Sequence, residues 1–262
     1  MTSPLTASNV TVGYDGRTVI DGLTLEVPRD SFTVIIGPNA CGKSTLLRSL
    51  ARLLPATEGS VLLDGRDIAA YRSKEVARRL GLLPQTSLAP EGITVVDLVS
   101  RGRFPHQGLL RQWSAADEEA IVAAMTETSV LELSQRSFDE LSGGQRQRVW
   151  VAMALAQQTP LLLLDEPTTF LDINHQLELL ELFARLREAG GRTLVAVLHD
   201  LNQAARYATH LVVMKEGRIV AQGDPGNVLT AELVHDVFGV KCRIIDDPES
   251  HTPLVIPMMR AH

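Results

Sequence analysis

The sequence predicts an α/β fold built around buried parallel strands, and three observations predict it. Short apolar runs at residues 32–36, 161–164 and 193–198 read as strands covered on both faces. Residues 5–12 and 18–27 instead alternate apolar and polar positions about Asp15-Gly16, which reads as an antiparallel hairpin. From about residue 88 to about 158 alternation fades and helical patterns dominate, which reads as a helical insertion within the α/β domain.

The most informative stretch is Gly37-Pro38-Asn39-Ala40-Cys41-Gly42-Lys43-Ser44, with Thr45 next to it. Its G-x-x-x-x-G-K-S pattern follows the run 32–36 and precedes a helix expected over 44–54, the setting of a phosphate-binding loop. Glycines let the backbone curl so that successive N–H groups converge on one anion. The helix N-terminus adds unpaired donors and a partial positive charge. Lys43 is placed to reach the β- and γ-phosphates, and the Ser44 hydroxyl to hold Mg²⁺.

Bulk properties bound the rest. The chain has 262 residues, enough for one or two domains with a large core. Hydrophobic residues make up 45% and charged residues 21%, the balance of a soluble globular protein. The net charge is −6 and no basic block of five or more residues occurs, so no nucleic-acid partner is expected. A bridge from Cys41 would obstruct its loop, so Cys41 and Cys242 are expected to be reduced, cytosolic thiols. No stretch of 18 apolar residues exists to span a bilayer, and residues 1–10 lack the pattern of a signal peptide.

In chain order, Tyr14 is expected in the hairpin turn, where it serves either to stack on a purine or simply as a turn residue. A short strand over 61–63 and an Asp64-Gly65 turn follow, then a helix over 73–79. A buried strand over 80–83 ends at Pro84-Gln85, and the Gln85 amide could ligate Mg²⁺, orient water or stay solvated. Thr94 caps a helix expected to reach Arg103, and Ser114 to Asp117 is a capping-box pattern opening another. The segment RGRFPHQ, residues 101–107, reads as a basic loop, either a docking surface or a solvated connector.

Leu141-Ser142-Gly143-Gly144-Gln145 opens a helix expected to reach Gln157. A small hydroxyl and two glycines expose N–H groups at a helix N-terminus, so this is a second anion site in the chain. The strand 161–164 ends in Asp165-Glu166. Asp165 is placed to hold Mg²⁺ through water, and Glu166 to polarise an attacking water. A helix over 174–189 closes at Gly190-Gly191, and the strand 193–198 ends at His199, beside the phosphate edge, where a γ-phosphate contact is expected. A helix over 201–208, strands over 210–214 and up to 221, and a last helix over 230–238 follow, then a tail over 239–262 with two strand-like runs.

Taken together, Tyr14, the loop 37–44, Gln85, LSGGQ at 141–145, LLLLDE at 161–166, Leu171-Asp172 and His199 resemble the nucleotide-binding subunit of ABC transporters. The resemblance covers roughly residues 5 to 238. It implies a P-loop NTPase with a RecA-like core, an N-terminal antiparallel β-subdomain and a helical subdomain carrying LSGGQ. The domain expected is 1–238, with the insertion at about 88–158. By match, ATP and Mg²⁺ are the ligands, Tyr14 stacks on adenine, Glu166 is the catalytic base, His199 meets the γ-phosphate and Gln85 links the site to a membrane partner. Asp172 joins the nucleotide-binding set. DEPTTFLDINHQLELL, RGRFPHQ and LHDLNQAARYATHLVVMKEGRIVAQGDP resemble more narrowly the ATPases of bacterial ferric-siderophore importers, whose relatives import haem and vitamin B12.

The single loop and single LSGGQ per chain, in the family's arrangement, imply a head-to-tail homodimer with ATP sandwiched between copies. The partners implied are membrane permease subunits and, indirectly, a substrate-binding protein. The place implied is the cytoplasmic face of the cell membrane, peripherally.

Overall fold

The computed structural model describes residues 3–85, 88–108, 113–169 and 171–259. Phe170 of the DEPTTFLD stretch, residues 86–87, residues 109–112 of the helical region, and the ends of the chain lie outside them. Contacts divide the chain into two units, residues 1–70 with 193–262, and residues 71–192.

The first unit begins with β1 (Leu5–Tyr14) and β2 (Arg17–Val27), antiparallel across Asp15-Gly16. Both turn residues have positive φ, 48° and 77°, the geometry of the tight turns whose twist matches a hairpin. Tyr14 is therefore the last residue of β1, paired with Arg17, rather than a turn residue. β3 (Phe32–Ile36) is buried at all five positions. It leads through the phosphate loop into α1 (Lys43–Leu50). That helix stops four residues short of the expected end, because Ala51 caps it and Arg52 turns left-handed at φ 59°. β4 (Glu58–Leu63) pairs with β1, and β5 (Arg66–Asp67) pairs with β4, completing an antiparallel sheet in the order β2-β1-β4-β5.

The second unit opens with α2 (Ser73–Ala77) and β6 (Leu80–Leu83). α3 (Val95–Ser100) has Thr94 as its cap, the hydroxyl accepting from Asp97 N–H. Residues Arg101–His106 then form a 3-10 turn, not a continuation of the helix. Gly102 lies so close to the Met153 carbonyl that a Cβ would collide with it, and Pro105 lacks the N–H an α-helix needs.

The basic loop expected at 101–107 is corrected in part. Arg103 is buried, donating to Asp117 Oδ1 at 2.9 Å, the Ala156 carbonyl at 2.7 Å and Gln158 Oε1 at 2.9 Å. It is a framework residue, while Phe104 beside it is exposed. α4 (Ala115–Glu127) opens on the expected capping box of Ser114 and Asp117. α5 (Gly143–Ala156) begins within LSGGQ, with Ser142 as its cap. β7 (Leu161–Asp165), buried throughout, runs parallel to β6, and α6 (Ile173–Gly190) closes the unit.

Back in the first unit, β8 (Thr193–Val197) is parallel to β3 on one side, as is β9 (His210–Lys215) on the other. α7 (Leu201–Tyr207) joins β8 to β9. β10 (Arg218–Gly223) pairs antiparallel with β9. α8 (Pro225–Val228), not expected from the sequence, and α9 (Ala231–Phe238) follow. The two runs of the tail form a hairpin, β11 (Cys242–Asp246) with β12 (Pro253–Pro257). Asn202 of α7 holds it, accepting from Val255 N–H at 2.7 Å and donating to its carbonyl at 3.3 Å. Among the described residues no helix is long and apolar enough to cross a membrane.

Candidate nucleotide-binding site

In the first unit the phosphate loop is organised around Lys43. Its side chain is buried, and Nζ donates to the carbonyls of Gly37 at 2.8 Å and Pro38 at 3.0 Å. The ammonium thus sits inside the curl of Gly37, Pro38, Asn39, Ala40, Cys41 and Gly42. Two glycines are required. A Cβ at Gly37 would strike the Met214 carbonyl, and Gly42, the N-cap of α1, has φ 104°. Gly42 has no side chain, so the N-cap itself supplies no side-chain hydrogen bond to α1. Lys43, Ser44 and Thr45 form its first turn, which suits it to an anion. Cys41 is buried, and burial pushes its thiol pKa up, with Lys43 pulling the other way.

His199 reaches the same strand edge. Ile35 of β3 is in register with Val197 of β8, so Gly37 and His199 each lie two residues past a register partner. His199 is exposed there. Tyr14, the last residue of β1, is 41% exposed.

The second unit repeats this offset. Leu83 of β6 is in register with Leu164 of β7, and Gln85 and Glu166 each lie two residues beyond. Here the side chains meet: Gln85 Nε2 donates to Glu166 Oε2 at 2.6 Å. The Thr169 hydroxyl donates to the same oxygen at 3.3 Å. Glu166 takes a left-handed backbone, φ 51°, a conformation uncommon for a residue other than glycine. Asp165, one residue earlier, ends β7 and is buried.

LSGGQ forms the N-terminus of α5. Ser142 Oγ accepts from Gln145 N–H at 3.3 Å, and Gln145 Oε1 accepts from Ser142 N–H at 3.0 Å. That reciprocal box leaves Gly143 and Gly144 as the first helical residues, whose N–H groups have no intrahelical acceptor. Gln147 Nε2 donates to the Pro167 carbonyl at 2.8 Å, tying α5 to the turn after β7. Asp172 caps α6 and is engaged by His175.

Three residues of this region escape sequence reasoning: Thr169, Gln147 and His175. Thr169 and Gln147 act by single hydrogen bonds to residues that the motifs mark, and nothing in their own spacing singles them out. His175 carries a faint signal, since Asp172-x-x-His175 places it at the third position of α6, where a cap's side chain reaches.

Residues 20–169 match the family model described as ABC transporter. The chain is 56% identical over 256 residues to the ferric enterobactin transport ATP-binding protein FepC of Escherichia coli (strain K12), covering 98% of this chain and 94% of that protein. It is 51% identical to the achromobactin transport ATP-binding protein CbrD of Dickeya dadantii (strain 3937), covering 98% and 95%. It is 45% identical to the hemin import ATP-binding protein HmuV of Myxococcus xanthus (strain DK1622), covering 94% and 93%. Among solved structures, the dimeric bacterial ABC transporter cassette MJ0796 superposes with a TM-score of 0.75 at 26% identity, covering 84% of this chain and 98% of that one. The family match spans more than half of the chain and the sequence relatives run along nearly all of it; the chain belongs to the ABC transporter family, among its ATP-binding proteins.

Proposed function

We propose that this chain hydrolyses ATP to drive uptake of a ferric siderophore through a membrane permease. One observation carries the reading: identity to the ferric enterobactin transport protein runs at 56% over 98% of the chain, well beyond the cassette at 20–169. The similarity to a hemin import protein is lower, at 45%.

In this reading the loop 37–44 and Thr45 hold the phosphates of ATP, with Lys43 neutralising the β- and γ-phosphates and Tyr14 stacking on adenine. Mg²⁺ fits the donor chemistry. Ser44, Asp165 and Gln85 offer hydroxyl, carboxylate and amide oxygens, the hard ligands that this ion takes. When bound, Mg²⁺ neutralises phosphate charge. Glu166 takes the proton of the attacking water, and His199 meets the γ-phosphate.

The chain carries one phosphate loop and one LSGGQ. Two copies arranged head to tail close on themselves with two-fold symmetry, each presenting Ser142, Gly143, Gly144 and Gln145 to the nucleotide of the other. ATP favours the closed pair and hydrolysis releases it, which moves the permease. A binding protein delivers the chelate, and the chain works from the cytoplasmic face, held to the membrane by the permease.

The test is uptake of radiolabelled ferric siderophore by cells whose only copy carries Glu166→Gln, beside wild type. Loss of siderophore uptake, with haem, corrinoids and unrelated solutes entering normally, is expected. Normal siderophore uptake together with lost haem or corrinoid uptake would move the cargo to that class.

A further inference from the structure

We propose that His175, held by Asp172, is a positioning residue for the LSGGQ anion site. The proposal deepens the functional reading above and rests on LSGGQ meeting a nucleotide's γ-phosphate.

Asp172 does more than cap α6. Its Oδ1 accepts the His175 backbone N–H at 2.9 Å, and its two oxygens lie 2.8 Å and 2.7 Å from His175 Nδ1. A carboxylate only accepts, so Nδ1 carries the proton, and the ring is fixed at one end by a charge-assisted bond. These bonds from His175 hold the Asp172 carboxyl below its ordinary pKa, so it is ionised at neutral pH.

The ring fixed in this way lies against Gly144. A Cβ at Gly144 would stand 3.4 Å from His175 Cγ, 3.5 Å from Nδ1 and 3.6 Å from Cδ2, so the ring is the neighbour over the side of Gly144 where a side chain would project, with room for no more than a methyl group between them. Gly144 is the second residue of α5, within the turn whose N–H groups point past the helix end. The Ser142–Gln145 box braces this turn from inside α5. His175 braces it from α6, a separate element that continues the chain from Glu166.

Preorganised donors stabilise a transferring phosphate only while they hold position, and a displacement on the order of 1 Å costs about 10²-fold in rate. His175 therefore acts through Gly144 and does not itself touch nucleotide. Asp172, expected from the resemblance to contact nucleotide, reaches the site in this chain by way of the imidazole.

The test uses the purified full chain with His175→Ala, His175→Asn and His175→Phe, measuring kcat and KM for ATP and the affinity for ADP, which binds the phosphate loop alone. Ala and Asn, which remove the ring, are expected to lower kcat by about tenfold with ADP affinity unchanged. Phe, which keeps a flat ring over Gly144, is expected to restore most of the loss. Wild-type kcat in His175→Ala, equal loss in Ala and Phe, or a parallel loss of ADP affinity would each overturn the proposal. Ser142→Arg separates the two levels. An inactive Ser142→Arg beside a normal His175→Ala removes only the positioning role; a fully active Ser142→Arg removes the reading of LSGGQ and the proposal with it.

Discussion

The side-chain amide of Gln85 donates to the carboxylate of Glu166 at 2.6 Å, across the ends of two strands in register. A hydrogen bond to a charged group contributes about 1.5–3 kcal/mol, so this one fixes where the carboxylate points. The Thr169 hydroxyl adds a longer bond to the same oxygen. Gln85→Ala is expected to lower steady-state ATP hydrolysis more than Thr169→Val, whose effect is about two- to tenfold. A larger loss in Thr169→Val would reverse the ranking of the two bonds.

Cys41 lies inside the phosphate loop, and burial raises its thiol pKa. The nucleophilic thiolate is then scarce at neutral pH, so alkylation is expected to accelerate as pH rises past the ordinary thiol range. A bulky maleimide on Cys41 is expected to block nucleotide, and ATP to protect the thiol. Peptide mapping distinguishes it from Cys242, which is also buried. Unimpaired ATP binding after confirmed Cys41 modification would contradict the placement.

Asp117 and Arg103 form a buried ion pair at 2.9 Å. Asp117→Ala strands the guanidinium and is expected to cost about 3–5 kcal/mol of stability, read from urea unfolding. The Ser114 hydrogen bond, with help from Arg103, lowers the Asp117 pKa from 3.8 to about 2. A depressed carboxyl pKa stabilises the fold above its unfolded value and loses that contribution as pH falls through the folded one. The stability of wild type should therefore fall between about pH 4 and pH 2, and Asp117→Asn should lack that component. Identical acid profiles for the two would count against the pair.

Asn202 of α7 makes two hydrogen bonds to the backbone of Val255 in β12. Asn202→Ala is expected to cost about 1–2 kcal/mol and to expose the Val255 amide to rapid hydrogen exchange. Unchanged protection at Val255 would mean that the hairpin is held elsewhere.

Much of the site was legible because its chemistry is contiguous. The phosphate loop, LSGGQ and Asp165-Glu166 each carry their spacing within a few residues and sit where apolar runs end. What stayed hidden depends on long-range contacts. Arg103 reads as one of several basic residues until Asp117 and the end of α5 close over it. The left-handed turn at Arg52 that shortens α1 has no Gly or Asn to announce it. The tail reads as two isolated runs, because Asn202, which anchors it, lies 53 residues before Val255. Tyr14 reads as a turn residue but ends β1, because alternation does not mark where a strand gives way to its turn.

In the proposed function Glu166 is the base of an ATP-driven clamp. Light scattering of purified Glu166→Gln with ATP, with ADP and without nucleotide, alongside single-turnover hydrolysis, tests it most directly. The expected result is a dimer with ATP, a monomer with ADP, and turnover close to zero. Hydrolysis at the wild-type rate, or a monomer under saturating ATP, would contradict it.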